Sequence, residues 1–444
     1  MPTTSPEPTL TAATVAPPRA RPSLLSRLGG AVRARSTEAL LFSGATAVAL
    51  LHALDDAFLL PGPGVPLGQH ALAAAIAVVA SVAAVLAFPR LRPGLQSGTA
   101  FTFGVLAAIN GGRHVHHMLN VTTTANDVTG ALALLAGVVL VGLAAWIPFR
   151  RRGEGVAHPL GRWVVRVLVL AGLVVSVPLF WGPVGMAVVD SHSLSKPLGD
   201  PPNAAYETVR LTTSDGLELE GWYRPSRNGA AVLLGSGGGS TRMSTLRHAT
   251  MLERHGYGVL VYDPRGMGHS EGTPNSYAWG WDKDVDAALE YLGKRDDVEP
   301  GRIGALGLSS GADAVLDAAG RRSDLAAVVA DGTAAIGYED IKAYSDDALT
   351  RAPMWVLFKT IEVLKGRSGP DVSLADRIER SRTPHLLVAA GKPEKEWGEL
   401  YDRRGGDRSE LWYLPKASHT AALKQYPEEY ERRVTAFFAD HMGR

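Results

Sequence analysis

Five apolar stretches of membrane-spanning length, at about residues 39–60, 70–88, 98–118, 129–149 and 163–184, fill most of the first 190 positions. In a bilayer the backbone has no water to bond to, so runs of about 20 apolar residues are restricted to helices. The third run differs from the others because Asn110, Arg113, His114, His116 and His117 make its outer half costly in lipid.

The charges between these runs set an orientation. Arg19, Arg21, Arg27, Arg33 and Arg35 precede the first run, Arg90 and Arg92 separate the second from the third, and Arg150, Arg151 and Arg152 separate the fourth from the fifth. The alternate connections are nearly free of Lys and Arg. With all five runs spanning, the basic segments share one side and obey the positive-inside rule; omitting the third would export Arg150–Arg152. The expectation is an all-α transmembrane region of about five helices over residues 38–185, with a cytoplasmic N-terminus and everything after residue 185 extracytoplasmic. Residues 1–37 read as a disordered basic tail, because they hold too few large apolar residues to fold alone. A signal peptide fits less well, since the first apolar run starts late and several like it follow.

His52, Asp55 and Asp56 in the first run, and Asn110, Arg113, His114 and His117 in the third, are spaced three and four apart, which sets each group on one helical face. The topology brings both groups to the outer leaflet. The reading preferred here is structural: cations neutralise the two aspartates and hold the helices together. The alternative is a divalent-metal or substrate contact by His52, Asp55, Asp56, His114 and His117. The chain has no cysteine, which excludes disulfides, zinc-thiolate sites and a cysteine nucleophile, and its formal charge of +1 indicates no nucleic-acid partner.

After a linker at 186–204, the pattern over residues 205–444 changes to short apolar runs alternating with helix-length segments. This is the pattern of a mostly parallel sheet covered on both faces. Strands are expected at 206–211, 217–223, 231–234, 258–262, 302–306, 326–330, 385–389 and 410–414, with helices at 282–294 and 427–441 and a helical insertion at about 338–380 that caps a pocket or faces the membrane.

Gly307-Leu308-Ser309-Ser310-Gly311 follows the fifth of these strands and precedes a helix-compatible segment. A strand-turn-helix with small flanking residues pushes a serine out of the backbone as a nucleophile elbow, and Ser309 holds the central position. A base and an acid are then expected later in the chain. His419 lies in the loop after the last strand. Glu394, in the loop Gly391-Lys392-Pro393-Glu394, is the preferred orienting acid, with Glu396 and Asp331 as alternatives.

With these motifs in order, residues 205–444 resemble the α/β-hydrolase superfamily, in its serine-aminopeptidase and monoacylglycerol-lipase-like branch. Asp263-Pro264-Arg265-Gly266-Met267-Gly268-His269-Ser270 matches that family's D-x-R-G-x-G-x-S segment, in which Asp263 and Arg265 are expected to pair structurally. The resemblance implies an oxyanion hole of two backbone N–H groups, here Ser310 with Gly237 or Ser236. Relatives begin that loop with His-Gly where this chain has Gly235-Ser236-Gly237, and use Asp where it has Glu394. The glycine-rich loop lacks the Lys-Ser/Thr ending of a phosphate-binding P-loop.

The expected activity is that of a cofactor-independent, membrane-anchored serine hydrolase acting on an ester, thioester or amide in an acyl or peptide substrate, with lipid-like carboxylesters favoured. The rivals are an aminopeptidase, an acyltransferase, and a catalytically silent ectodomain of a membrane sensor or transport module.

Overall fold

The computed structural model describes residues 37–59, 67–120, 125–150, 159–191 and 198–443. The basic tail and Arg151 and Arg152 lie outside the described residues.

The first half is helical. Helices α1 (Thr37–Leu54), α2 (Leu67–Ala87), α3 (Pro93–Asn120), α4 (Ala125–Arg150), α5 (Pro159–Ser176) and α6 (Gly182–Ser191) follow in order. Five rods result, because Val177–Trp181 forms a π-helical turn that joins α5 to α6. Pro178 withholds an N–H there, a common reason for a locally widened turn. Three rods are long and apolar enough to cross a membrane, namely Thr37–Phe58, Ala125–Phe149 and Leu160–Asp190. The α2 rod has a shorter apolar stretch, Ala74–Arg90, and α3 carries the polar residues noted above. Large apolar side chains stand uncovered along the last rod, including Leu160, Leu168 and Val174. Trp163 lies near the start of that rod and Trp181 at its π-helical turn, about 27 Å apart along its axis at 1.5 Å per residue. Each stacks edge-on with a phenylalanine, Phe149 and Phe180 respectively.

The second half is built on one eight-stranded sheet: β1 (Glu207–Thr212), β2 (Glu218–Arg224), β3 (Ala231–Gly235), β4 (Gly258–Tyr262), β5 (Ile303–Leu308), β6 (Ala327–Asp331), β7 (His385–Ala390) and β8 (Ser409–Leu414), in the order 1-2-4-3-5-6-7-8. Strands β3 to β8 run parallel, while β1 and β2 form an antiparallel hairpin that joins the sheet beside β4. Every residue of β3 to β7 is buried, which is why these strands read as unbroken apolar runs.

Both faces are covered. Helices α8 (Trp281–Gly293) and α9 (Ser310–Arg321) pack over a core containing Leu233, Leu260, Val285, Leu316 and Tyr401. On the other face α7 (Leu246–Arg254) and the C-terminal helix Pro427–Met442 enclose Val232, Val259, Val329 and Phe438. Each fully buried Val, Leu or Phe contributes about 1.5–3 kcal/mol of transfer free energy.

The insertion between β6 and β7 consists of α10 (Tyr338–Tyr344), α11 (Ala348–Lys365) and α12 (Leu374–Arg380). Asp347 caps α11 by accepting the Thr350 N–H at 2.8 Å, and Gly366, in the left-handed region, ends it. The last rod runs past residue 185: Ala187 of α6 is buried with Trp279, Leu357, Phe358 and Ile361 in a cluster under α11. Residues 391–394, expected to be a loop, instead form the first turn of α13 (Gly391–Gly405).

Candidate active site

The parallel strands end together at one edge of the sheet, where β5 turns sharply into α9. Ser309 takes φ 53° and ψ −124° there, a strained geometry for a residue with a side chain. The turn is locked by the Ser309 N–H donating to the Asp331 carbonyl at 2.8 Å and the Ala312 N–H donating to the Ser309 carbonyl at 2.7 Å. Its tightness requires glycine: a Cβ on Gly307 would lie 2.2 Å from the Gly311 carbonyl oxygen, and one on Gly311 would lie 2.5 Å from that of Gly235.

His419, in the loop after β8, places Nε2 3.0 Å from Ser309 Oγ. Its Nδ1 lies 2.7 Å from Glu394 Oε1. A carboxylate on Nδ1 selects the tautomer that carries its proton there and leaves the Nε2 lone pair facing the hydroxyl. Glu394 Oε2 accepts the Ala390 N–H at 2.7 Å, so the helix start at α13 holds the carboxylate in place. The bond to Glu394 raises the His419 pKa above its ordinary value, against the opposing effect of burial.

On the other side of Ser309, the loop after β3 presses against the elbow, and a Cβ on Gly237 would sit 3.3 Å from that of Ser309. Ser236 is buried, with its Oγ 3.4 Å from the Ser240 carbonyl. Ser310 donates its hydroxyl to the Ser276 carbonyl. Its side chain is thereby turned away from the reaction, while its backbone N–H stands at the start of α9, where helix partial charge is positive.

Residues 218–435 match the S15 family of X-Pro dipeptidyl-peptidases. Over that stretch, just under half of the chain, the sheet domain is similar to this family. Among curated relatives, the uncharacterized protein YfhR of Escherichia coli K12 is 32% identical over 135 residues, 29% of this chain and 47% of that protein. An uncharacterized Mycobacterium tuberculosis protein is 29% identical over 194 residues, 42% of this chain and 68% of its own length. A thiohydrolase of Arthrinium phaeospermum, apmlB, is 34% identical over 136 residues, 30% of this chain and 44% of its own. The chain therefore spans about half the length of YfhR.

Within the sheet domain the two other acid candidates are placed differently. Asp331 ends β6 and is fully buried, with the Tyr430 hydroxyl beside its carboxylate. Burial pushes its pKa up to about 7. Glu396 turns away from His419 and accepts the Tyr344 hydroxyl. Sequence reasoning missed Gly332, which follows Asp331 at φ +82°; a Cβ there would lie 2.9 Å from His419 Cε1, so this glycine makes room for the imidazole. In sequence, Asp331-Gly332 signals only a turn.

Asp263 and Arg265 do not pair. Arg265 binds Asp284 (2.6 and 2.8 Å) and Asp215 (3.0 and 3.2 Å). Asp263 accepts the Arg242 N–H at 2.8 Å and meets that guanidinium at 3.3 Å. Two residues apart at a sharp turn, the two side chains diverge and satisfy different partners, and the motif joins β2, β4 and α8 rather than closing on itself.

The polar residues of the apolar rods do meet. The His52 and His114 rings stack edge-on with centroids 4.8 Å apart, and His114 lies 3.6 Å from Asp56 and 3.2 Å from Asp127. The start of α4 joins them: Thr129 donates to Asp55 at 2.7 Å and Asn126 to Asp56 at 3.0 Å. Sequence spacing did not reveal this third helix, because Asn126, Asp127 and Thr129 sit at its polar start. Among the described residues, no group of three or more His, Asp or Glu side chains is arranged to hold a metal ion. The His117 side chain lies outside the described residues.

Proposed function

We propose that the chain is a membrane-anchored serine hydrolase that cleaves an ester, thioester or amide through an acyl-enzyme. The observation that carries this reading is the unbroken series Ser309 Oγ, His419 and Glu394, at 3.0 and 2.7 Å. His419 takes the Ser309 proton as the hydroxyl attacks the substrate carbonyl, Glu394 orients the imidazole and stabilises the imidazolium, and the Ser310 and Gly237 N–H groups receive the developing oxyanion. His419 then protonates the leaving group, and water resolves the acyl-enzyme by the reverse sequence.

An acyl ester or thioester is the preferred substrate class. Three rods of spanning length favour a bilayer address, and a membrane-held enzyme meets acylated compounds at high local concentration. The thioester option gains from likeness to a thiohydrolase. A peptidase is the second reading, favoured by the S15 match over residues 218–435.

Membranes carrying the full chain are to be labelled with a fluorophosphonate probe and assayed with ester, thioester and aminoacyl-amide panels. Labelling is expected in the wild type and lost in Ser309→Ala. Labelling that survives this substitution overturns the assignment, and turnover of amides without esters reverses the ranking of substrates.

A further inference from the structure

The last apolar rod does not merely tether the domain. Its final turn reaches the active site. Asp190 of α6 accepts the Tyr277 hydroxyl on Oδ2 at 2.8 Å, and its backbone carbonyl accepts the Ser276 N–H at 3.1 Å. Ser276 in turn accepts the Ser310 hydroxyl on its carbonyl. The same residue braces the loop after β3, since a Cβ on Gly238 would come within 2.5 Å of the Ser276 oxygen and 2.9 Å of its Cα and Cβ. Ser276 is thus wedged between the two backbone segments that supply the proposed oxyanion donors.

The far end of this loop is anchored independently. Asn275 closes it on itself, accepting the Trp279 N–H at 2.9 Å and donating to the Trp279 carbonyl at 3.1 Å, and Trp279 Nε1 donates to the Ile336 carbonyl at 2.6 Å. Its near end is held by Asp190. Five residues earlier, α6 is itself packed into the helical region: a Cβ on Gly185 would lie 3.0 Å from Ile109 of α3. A continuous series of packed and hydrogen-bonded groups therefore runs from the apolar helices to Ser310.

We propose that Asp190 is a positioning residue for the oxyanion-hole side of the site, so that the membrane segment sets the turnover of the α/β-hydrolase domain. The proposal rests on Ser309 being the nucleophile. Oxyanion donors act only when held about 2.7–3.1 Å from the developing charge. Losing the Asp190 carboxylate releases Tyr277, the neighbour of Ser276 in sequence, and leaves Ser276 only its backbone bond to Asp190, so that it can move, and with it both Ser310 and Gly238. Oxyanion donors stabilise the transition state more than the bound ground state, so the loss falls on kcat and not on KM.

The test uses the full-length protein in detergent micelles with p-nitrophenyl butyrate, comparing wild type, Ser309→Ala, Asp190→Ala, Asp190→Asn, Tyr277→Phe and the double variant Asp190→Ala/Tyr277→Phe. Asp190→Ala and Tyr277→Phe are each expected to lower kcat by about tenfold or more with KM within about twofold, the scale of a misplaced oxyanion donor. The double variant should be no slower than the worse single one, and Asp190→Asn, which keeps an acceptor for Tyr277, should recover most of kcat. Unchanged kcat in both singles, a loss confined to KM, or fully additive losses would overturn the proposal. Should Asp190→Ala fail to fold, Tyr277→Phe decides, because it keeps the ring and its packing. Wild-type turnover that persists in Ser309→Ala defeats the functional reading itself; turnover abolished by Ser309→Ala but normal in the Asp190 and Tyr277 variants defeats this inference alone.

Discussion

Glu394 and His419 meet at 2.7 Å although 25 residues separate them in sequence, and the contact is made from the first turn of a helix, not from a mobile loop. Replacing the acid by Gln keeps the shape and removes the charge. Glu394→Gln is expected to lower kcat by about 10²–10⁴. The pH profile should also move. With His419 as the proposed neutral base, wild-type activity should fall as pH drops through its pKa, which Glu394 holds above the ordinary histidine value. In the variant that acid limb should shift to lower pH; an unmoved limb would show that another carboxyl orients the imidazole.

Gly332→Ala probes the room left for His419. The new methyl would lie 2.9 Å from the ring at a φ of +82°. A left-handed backbone costs a residue with a Cβ about 1–2 kcal/mol. A displaced imidazole should cost kcat about tenfold to a hundredfold. Steady-state kinetics beside a urea titration separate the two effects, and a stability loss with normal kcat would remove Gly332 from the site's support.

Asp331 makes stability depend on pH. Its folded pKa of about 7 lies above the ordinary carboxylate value, so between roughly pH 4 and 7 the unfolded chain is ionised there while the folded chain keeps its proton. Stability contributed by this group therefore falls as pH rises through that window. Asp331→Asn should abolish the fall and stabilise the protein at pH 8 by up to about 4 kcal/mol. Denaturation curves at pH 5 and pH 8 check the sign, and a variant less stable at pH 8 would contradict it.

The pair Arg265–Asp284 is buried on both sides. Removing one partner leaves an uncompensated charge, so Asp284→Ala is expected to cost about 3–5 kcal/mol. Chemical denaturation of the detergent-solubilised protein measures it. Arg265 remains paired with Asp215 in that variant, and a loss below about 1 kcal/mol would mean that the surface carboxylate suffices.

If the proposed cytoplasmic N-terminus and five spans hold, protease added to intact cells should digest the sheet domain, and alkaline carbonate should leave the chain in the membrane pellet. Protection of the domain would reverse the orientation.

The sheet was legible because its central strands are buried on both faces and appear in sequence as apolar runs such as residues 231–234 and 258–262, bounded by turn residues. The elbow was legible because glycines at 307 and 311 are required by backbone contacts. Sequence failed where contacts are made between distant segments. Arg265 chose Asp284 and Asp215 over its neighbour Asp263, and Ser276 came to lie between two loops that no spacing relates. The helix at 391–405 was hidden because Gly391 and Pro393 read as loop residues, whereas Pro fits the first turn of a helix, where its missing N–H has no partner to lose.

In the proposed membrane-bound enzyme, Trp163 and Trp181 of the last rod act as depth marks. With Trp163 and Trp181 at the two faces of a bilayer, the ten residues of α6 form a stalk of about 15 Å. Its length is fixed by a helix, and its top is fastened beside Ser310. A stalk of set height works as a ruler. In the proposed membrane-bound enzyme it would select scissile bonds by their distance from the bilayer as well as by their chemistry, and would confine the serine to a thin layer in which bulk solutes are met no more often than by a freely diffusing enzyme.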